Sequence, residues 1–399
     1  MACSAGACRG VLGRHAILLL FTLSVQVETH EFEKFFESST VGLMTGPPMV
    51  GVLGSELDPT SDTYGTWAGK NLSNLEEFLH LRATYVNDDK AFAVFRRTAT
   101  SGYRTGCDAQ YDQVHPDTGH MLARMENSVW GRAVLEGSFH LAKGVDTFGS
   151  PMVFTLGRHE AMSPDLFSGL YKLTLMLESF GRFGPVPGQS ELPKPGDLYA
   201  GPGLMPLLHN WDIVEVGAGP GFFAATLVYA LNARSYSILD LPTQQAMQYK
   251  VLMHALPHEK VDSTFIFVPC CTRQLLKDFL LPSYDLFVSH SALAELTSKM
   301  RERYFYHFMI KSKRGFVIDN YEDIHQKRKG GVNDDPTEND DGRFAGLDFV
   351  WRLQDLGFDA QIRTHQELLG TQHHRSRAVV ITWASGGMDK MVLQEGGRT

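Results

Sequence analysis

The sequence predicts an α/β fold: a mostly parallel sheet whose last strand runs antiparallel, preceded by a mainly helical N-terminal region. Three observations carry this. From residue 211 onward, strand-like runs alternate with helical runs, as right-handed βαβ crossovers require. A glycine-rich turn, "VGAGPG", joins the first strand of that series to its first helix. Near the end, "FDAQIRTH" and "SRAVVITW" follow one another with no helix between, so they close as a hairpin and one of them is antiparallel.

Taken in order, residues 1–27 read as a signal peptide. Arg9 and Arg14 precede an apolar run, Ala16 to Val27, and the first acid is Glu28. That run suits a secretory h-region and falls short of the roughly 20 residues a bilayer span needs. The expected location is the secretory pathway: endoplasmic reticulum or Golgi lumen, or secreted. Targeting to an organelle is the alternative. Losing the leader removes two arginines and no acid, taking the formal charge from -8 to -10. This acidity argues against a nucleic-acid surface, and the one basic run, Lys327 to Lys329, is short. Cys107, Cys270 and Cys271 lie beyond the leader. They permit at most one disulfide, so this is no disulfide-built module. Asn71-Leu72-Ser73 is a glycosylation sequon, compatible with a lumenal route.

Residues 28–204 form the N-terminal region. "NLEEFLHL" suggests a helix, and "GYRTGCDAQYDQVHPDTGH" reads as loop. A clearer helix spans 162–181. Ser163 can cap it, Pro164 fits its first turn, and Leu166, Leu170, Leu173 and Leu177 recur at helical spacing before Gly181. A stretch rich in proline and glycine near 184–204 marks a boundary. Residues 205–385 form the second domain, and 386–399 a tail. Its strands are "DIVEVG", "SYSILDL", "STFIFVP", "YDLFVSH" and "RGFVIDN"; its helices include "GFFAATLVYALN", "PTQQAMQYKVLMHAL" and "ALAELTSKMRERYFYHFMI".

The glycine turn sits in the pattern E-x-G-x-G-x-G, with Glu215 on the strand and Gly217, Gly219 and Gly221 after it. Bare backbone there lets a ligand approach the chain and the next helix's amides. A dinucleotide wants G-x-G-x-x-G, but Phe222 and Phe223 follow here. A carboxylate at Glu215 suits a cationic ligand, as the sulfonium and amino group of S-adenosyl-L-methionine would be. Asp240 ends the second strand, 19 residues beyond Gly221, where a carboxylate can accept from both ribose hydroxyls.

On these residues the segment 210–320 resembles a class I S-adenosylmethionine-dependent methyltransferase. More narrowly, "GSP" at 149–151, "SPDLFSGLYKLTLM", "IVEVGAGPGFFA", "YSILDLPTQQAMQYKVL", "SHSALAEL" and "FVIDN" resemble, in order, a sugar O-methyltransferase family known mainly from bacteria. The resemblance implies a Rossmann-like class I sheet, S-adenosyl-L-methionine as cofactor, and O-methylation of a sugar or glycan. Methylation of a small phenolic or other metabolite is the alternative; a non-catalytic binding module is the second. Methyl transfer to oxygen needs a base behind the acceptor hydroxyl. His290, ending the fourth strand, is the candidate, near an asparagine of that family. Glu295, expected one turn into the next helix, is its partner or a substrate ligand. Ser291 and Asn320 are expected to bind the acceptor; Asn320 matches the family and Asp319 precedes it. His373 and His374 read as surface polar residues. No metal is expected: the acidic segment "GGVNDDPTENDDGRF" lacks calcium-loop spacing and reads as a solvated insertion. Cys270 and Cys271 lack the C-x-x-C partner of a zinc site.

Overall fold

The structure, a computed structural model, describes residues 80–97, 116–138, 143–155, 157, 159, 161–184, 194–195, 210–269, 281–290, 292–293, 296, 298–320, 346–364 and 378–386. The leader, the sequon, the three later cysteines, the basic run, the acidic segment and His373 and His374 lie outside the described residues.

Seven strands form one sheet: β1 (Asp212–Val216), β2 (Ser235–Asp240), β3 (Phe265–Pro269), β4 (Tyr284–His290), β5 (Ser312–Asn320), β6 (Phe358–Thr364) and β7 (Ala378–Ser385). Their order is β3-β2-β1-β4-β5-β7-β6. The first five are parallel, while β7 is antiparallel to both β5 and β6. This is the Rossmann-like class I sheet expected from the sequence, with its last strand reversed. Side chains alternate across it. Ile213, Tyr236, Ile238, Leu286, Val288 and Phe316 enter one core cluster, and Val214, Val216, Leu239, Phe287, Val317 and Ile381 enter the other. At the β5–β7 pair Trp383 lies flat on Gly315, where an added Cβ would come 2.0 Å from the indole; β5 has glycine there because no side chain fits under the ring.

Helices cover both faces. After the short helix Asp89–Phe92, those used below are, along the chain, α1 (Pro116–Asn127), α2 (Val129–Ala133), α3 (Pro164–Phe183), α4 (Phe222–Leu231), α5 (Pro242–Ala255), α6 (His258–Thr264), α7 (Ser298–Tyr304) and α8 (Gly346–Asp355). Helices α3 to α6 pack on the first face, while α7 and α8 pack on the second. The start of α3 is as expected: Pro164 opens it, and the Ser163 hydroxyl accepts from the Leu166 amide at 3.1 Å. Its end is not. The helix runs through Gly181 to Phe183 and stops at Gly184, whose φ is 70°. Two other expectations also change. Pro116 to His120, read as loop, begin α1. The helix anticipated from Ala292 is regular only from Ser298, and at Phe305 it widens into a π-turn, Phe305–Met309. Leu293 still reaches the same core, fully buried, which is why its spacing looked helical. Among the described residues no helix is long and apolar enough to cross a membrane.

The N-terminal region packs into the sheet's first core. Phe92 stacks on Phe95 and Phe148 at 5.0 and 5.8 Å, and both Phe95 and Phe148 meet Phe222 of α4. Among these rings sits Arg96, fully buried. Its guanidinium donates to Asp165 at 3.0 Å, to the Ser163 hydroxyl at 2.7 Å, to Asp146 at 3.3 Å and to the Val145 carbonyl, with the Phe222 ring 4.6 Å away. Removing one partner from a buried ionic cluster leaves charge without compensation. We therefore expect Arg96→Ala to lower unfolding stability by about 3–5 kcal/mol, read from urea midpoints. A loss below about 1 kcal/mol, the range of exposed pairs, would show that Arg96 does not seat α3.

Candidate functional site

The site lies where the parallel strands end. Val216, the last residue of β1, pairs with Leu239 of β2 and Ser289 of β4. Asp240 and His290 are each one residue beyond those partners. They flank Gly217 on opposite sides, about 10 Å apart by strand spacing. The glycine turn fills the gap between them. Gly217 and Gly221 have φ of 69° and 92°, values that only glycine adopts without strain. At Gly217 a Cβ would also stand 2.1 Å from that of Ala292. The segment after β4 therefore crosses directly over the turn.

Asp240 is held from two sides. Its Oδ1 accepts from the Leu241 amide at 2.8 Å, and its Oδ2 from the Gln248 side chain at 2.6 Å. The Gln248 amide also donates to the Gly219 carbonyl at 2.8 Å, as does Gln244 one turn earlier. So α5 ties the second-strand carboxylate to the glycine turn. Each carboxylate oxygen keeps lone-pair capacity for a further donor. Burial pushes the Asp240 carboxyl up to about 6, opposed by these hydrogen bonds. It remains mostly ionised at pH 7. Asp240 does not cap α5, whose N-cap, Leu241, has no side-chain bond.

Glu215 is fully buried on the face covered by α3. Its Oε2 accepts from the Tyr236 hydroxyl at 2.7 Å, while its Oε1 has no hydrogen-bond partner among the described residues. Burial raises its carboxyl to about 7, against the Tyr236 bond and the charge of Lys172. As the sequence implies, this carboxylate sits on the strand that leads into the turn; it is wholly buried there, with one acceptor unspent.

Lys172 is the residue that the sequence reading missed. It projects from α3 to the mouth, where its Nζ lies 3.1 Å from His290 Nδ1 and 5.6 Å from the Phe223 ring centre. Desolvation lowers its ammonium to about 8, opposed by the charges of Glu215 and Asp165. Burial, with Lys172 adding to it, holds His290 well below the ordinary imidazole range. His290 is thus neutral at physiological pH. A signal for Lys172 was present: it is the one charge in the apolar run "LYKLTLML". Gln244 and Gln248 also carried a signal, since their four-residue spacing in "PTQQAMQYKVLMHAL" puts both on one helix face. Ser291 and Glu295 lie outside the described residues. Asn320 ends β5 at the same edge of the sheet, and Asp319 is buried.

A carboxyl raised from 4.5 to about 7 favours the protonated folded state. That contribution is complete below the unfolded pKa and is lost as pH climbs through about 7. Glu215→Gln removes the loss. We expect the ligand-free variant to gain about 1–3 kcal/mol on wild type between pH 5 and pH 8, measured by urea unfolding. An unchanged difference across that range would mean that Glu215 is ionised without cost.

No protein-family model and no curated protein matches the sequence. Among solved structures, an O-methyltransferase family protein from Burkholderia thailandensis aligns at 12% identity and a TM-score of 0.33, covering 44% of this chain and 51% of that one. The chain thus spans about half the length of that protein. A Thermoplasma acidophilum protein, 1320, aligns at 12% identity and 0.32, covering 62% and 97%. The DhpI-SAM-HEP complex aligns at 17% identity and 0.28, covering 43% and 77%. These likenesses are too shallow to transfer substrate or chemistry, and what this site can do rests on its own residues.

Proposed function

We propose that this chain is an S-adenosyl-L-methionine-dependent O-methyltransferase acting on a sugar or glycan hydroxyl. The observation that carries the reading is the register of the mouth: a glycine turn with positive φ, flanked on one side by Asp240 and on the other by His290. The cofactor, when bound, supplies a methyl group on a cationic sulfur. Asp240 would accept from the ribose hydroxyls, while the amides after Gly221 would face the ligand at the start of α4. The unspent Glu215 Oε1 can take a further donor, and a cationic ligand nearby would favour the ionised carboxylate, where a pyrophosphate would disfavour it. His290, held neutral, would take the acceptor's proton.

The sugar assignment draws on the resemblance of "LDLP" and its glutamine-bearing helix, with Asn320 at the same edge as an acceptor contact. Ser291 and Glu295 follow His290 in the chain and are proposed to bind or orient the acceptor. O-methylation of a small phenolic is the second reading. We place the protein in the secretory pathway on the strength of residues 1–27, so its mature N-terminus should begin near Ser24; an intact Met1 on a cytosolic protein would overturn that.

Calorimetry should show binding of S-adenosyl-L-methionine and not of NAD. Asp240→Ala should weaken that binding by about tenfold to hundredfold, the value of a charge-assisted bond. Binding of NAD alone would end the reading. Transfer of labelled methyl should be tested on monosaccharides, glycans and phenols. Turnover on phenols alone would select the second reading. With the accepted substrate, His290→Ala should keep its cofactor affinity and lose at least about 100-fold in turnover. If His290→Asn retains most of its turnover, the ring only orients the acceptor.

A further inference from the structure

The contact between Lys172 and His290 raises a question of proton placement. A neutral imidazole has one N–H and one bare nitrogen. A protonated Lys172 has only donors, so at 3.1 Å from Nδ1 it fixes Nδ1 as the acceptor. The ring proton must then sit on Nε2. An imidazole in that tautomer offers the mouth a donor and has no free nitrogen to receive a proton. A neutral Lys172 reverses this. The amine's lone pair can accept from Nδ1–H, and Nε2 is then left bare.

We propose that Lys172 is a positioning residue that switches the His290 base: as an ammonium it closes the base, and as an amine it opens it. The inference rests on the methyl-transfer reading for its consequence in catalysis, while the tautomer switch is a property of the ligand-free chain. In the open state the step balances. With the cofactor bound, the acceptor oxygen would bond to the methyl carbon and the carbon–sulfur pair would stay on sulfur. The hydroxyl proton passes to Nε2, and the Nδ1 proton passes to Nζ. The step leaves a lysine ammonium and a ring protonated on Nε2, and the ammonium must shed its proton before the next turnover.

The surroundings of Lys172 keep both states within reach. Desolvation on α3 favours the amine, while Glu215 from β1 and Asp165 from α3 favour the ammonium, leaving it near 8. His290 from β4 is its hydrogen-bond partner, and the Phe223 ring of α4 faces the ammonium. Asp165 is itself committed to Arg96. Glu215 and Asp165 titrate near 7 and 6, so a switch set by the lysine must lie above both.

Two measurements test this. In protein labelled with ¹⁵N in its imidazole rings, long-range proton–nitrogen spectra of the ligand-free full chain report the His290 tautomer. We expect the Nε2–H form below about pH 8 and growth of the Nδ1–H form above it. Lys172→Arg, whose side chain stays protonated, should hold Nε2–H from pH 6 to 10, and Lys172→Met should abolish the pH-dependent change. Turnover on the best acceptor of the panel should rise about tenfold per pH unit to near pH 8 and then level. That limb should vanish in Lys172→Met, and Lys172→Arg should remain at the low-pH floor. A tautomer that does not change in wild type, or a change that survives in Lys172→Met, would overturn the switch. If the ring switches as described but no acceptor is methylated, the switch stands and the methyl-transfer reading falls.

Discussion

The mouth of this sheet depends on one buried cation, Arg96. Its guanidinium is the joint at which the chain before the sheet meets the sheet itself. It holds the cap and the first acid of α3, and it lies against the first ring of α4. The planar fork of arginine explains the residue choice: donors must reach a hydroxyl, two carboxylates and a carbonyl at fixed angles, which a lysine's single nitrogen cannot do. Because α3 is held at its first turn, the residue two turns along, Lys172, arrives over the ends of β1 and β4. A contact far from the chemistry thereby sets the angle at which the chemistry is approached.

The mouth is also electrostatically unsettled. Desolvation displaces Asp240, Glu215, Lys172 and His290 alike toward their neutral forms. Hydrogen bonds oppose that displacement on both oxygens of Asp240 and on one of Glu215, whose other oxygen is left bare. Such a site is poor in favourable contacts until a charged ligand enters. Preorganised groups of this kind need little rearrangement to meet charge, and their cost in the empty protein is carried by the large apolar cores on both sides of the sheet.

The sheet was legible because its signals are local. Each parallel strand is a short apolar run ended by a turn residue, and the missing helix before "SRAVVITW" announced the reversal of β7. The glycine turn and Asp240 were legible for the same reason: their spacing is measured along the chain. What escaped needed distance in space. Lys172 and His290 are 118 residues apart, and neither carries a mark that it meets the other. Glu215 was legible on its strand, but its burial was not, because alternation in a strand buried on both faces does not say which face each side chain takes. The helix end at Gly181 was misjudged because a helix packed along its length tolerates an interior glycine at about 1 kcal/mol.

The placement of β7 reaches into how the molecule is made. The strand lies between β5 and β6, joined to both by antiparallel ladders. Until residues 378–385 have been synthesised, β5 is an open edge, and β6 has no neighbour at all among the described strands. Gly315 and the hydrophobic pocket for Trp383 stay exposed for the same interval. Edges of this kind invite pairing with other chains, and late long-range pairing is slow. The nascent protein therefore passes through a stage, six strands long, in which a chaperone or a fast final step must keep the gap free for the strand that closes it.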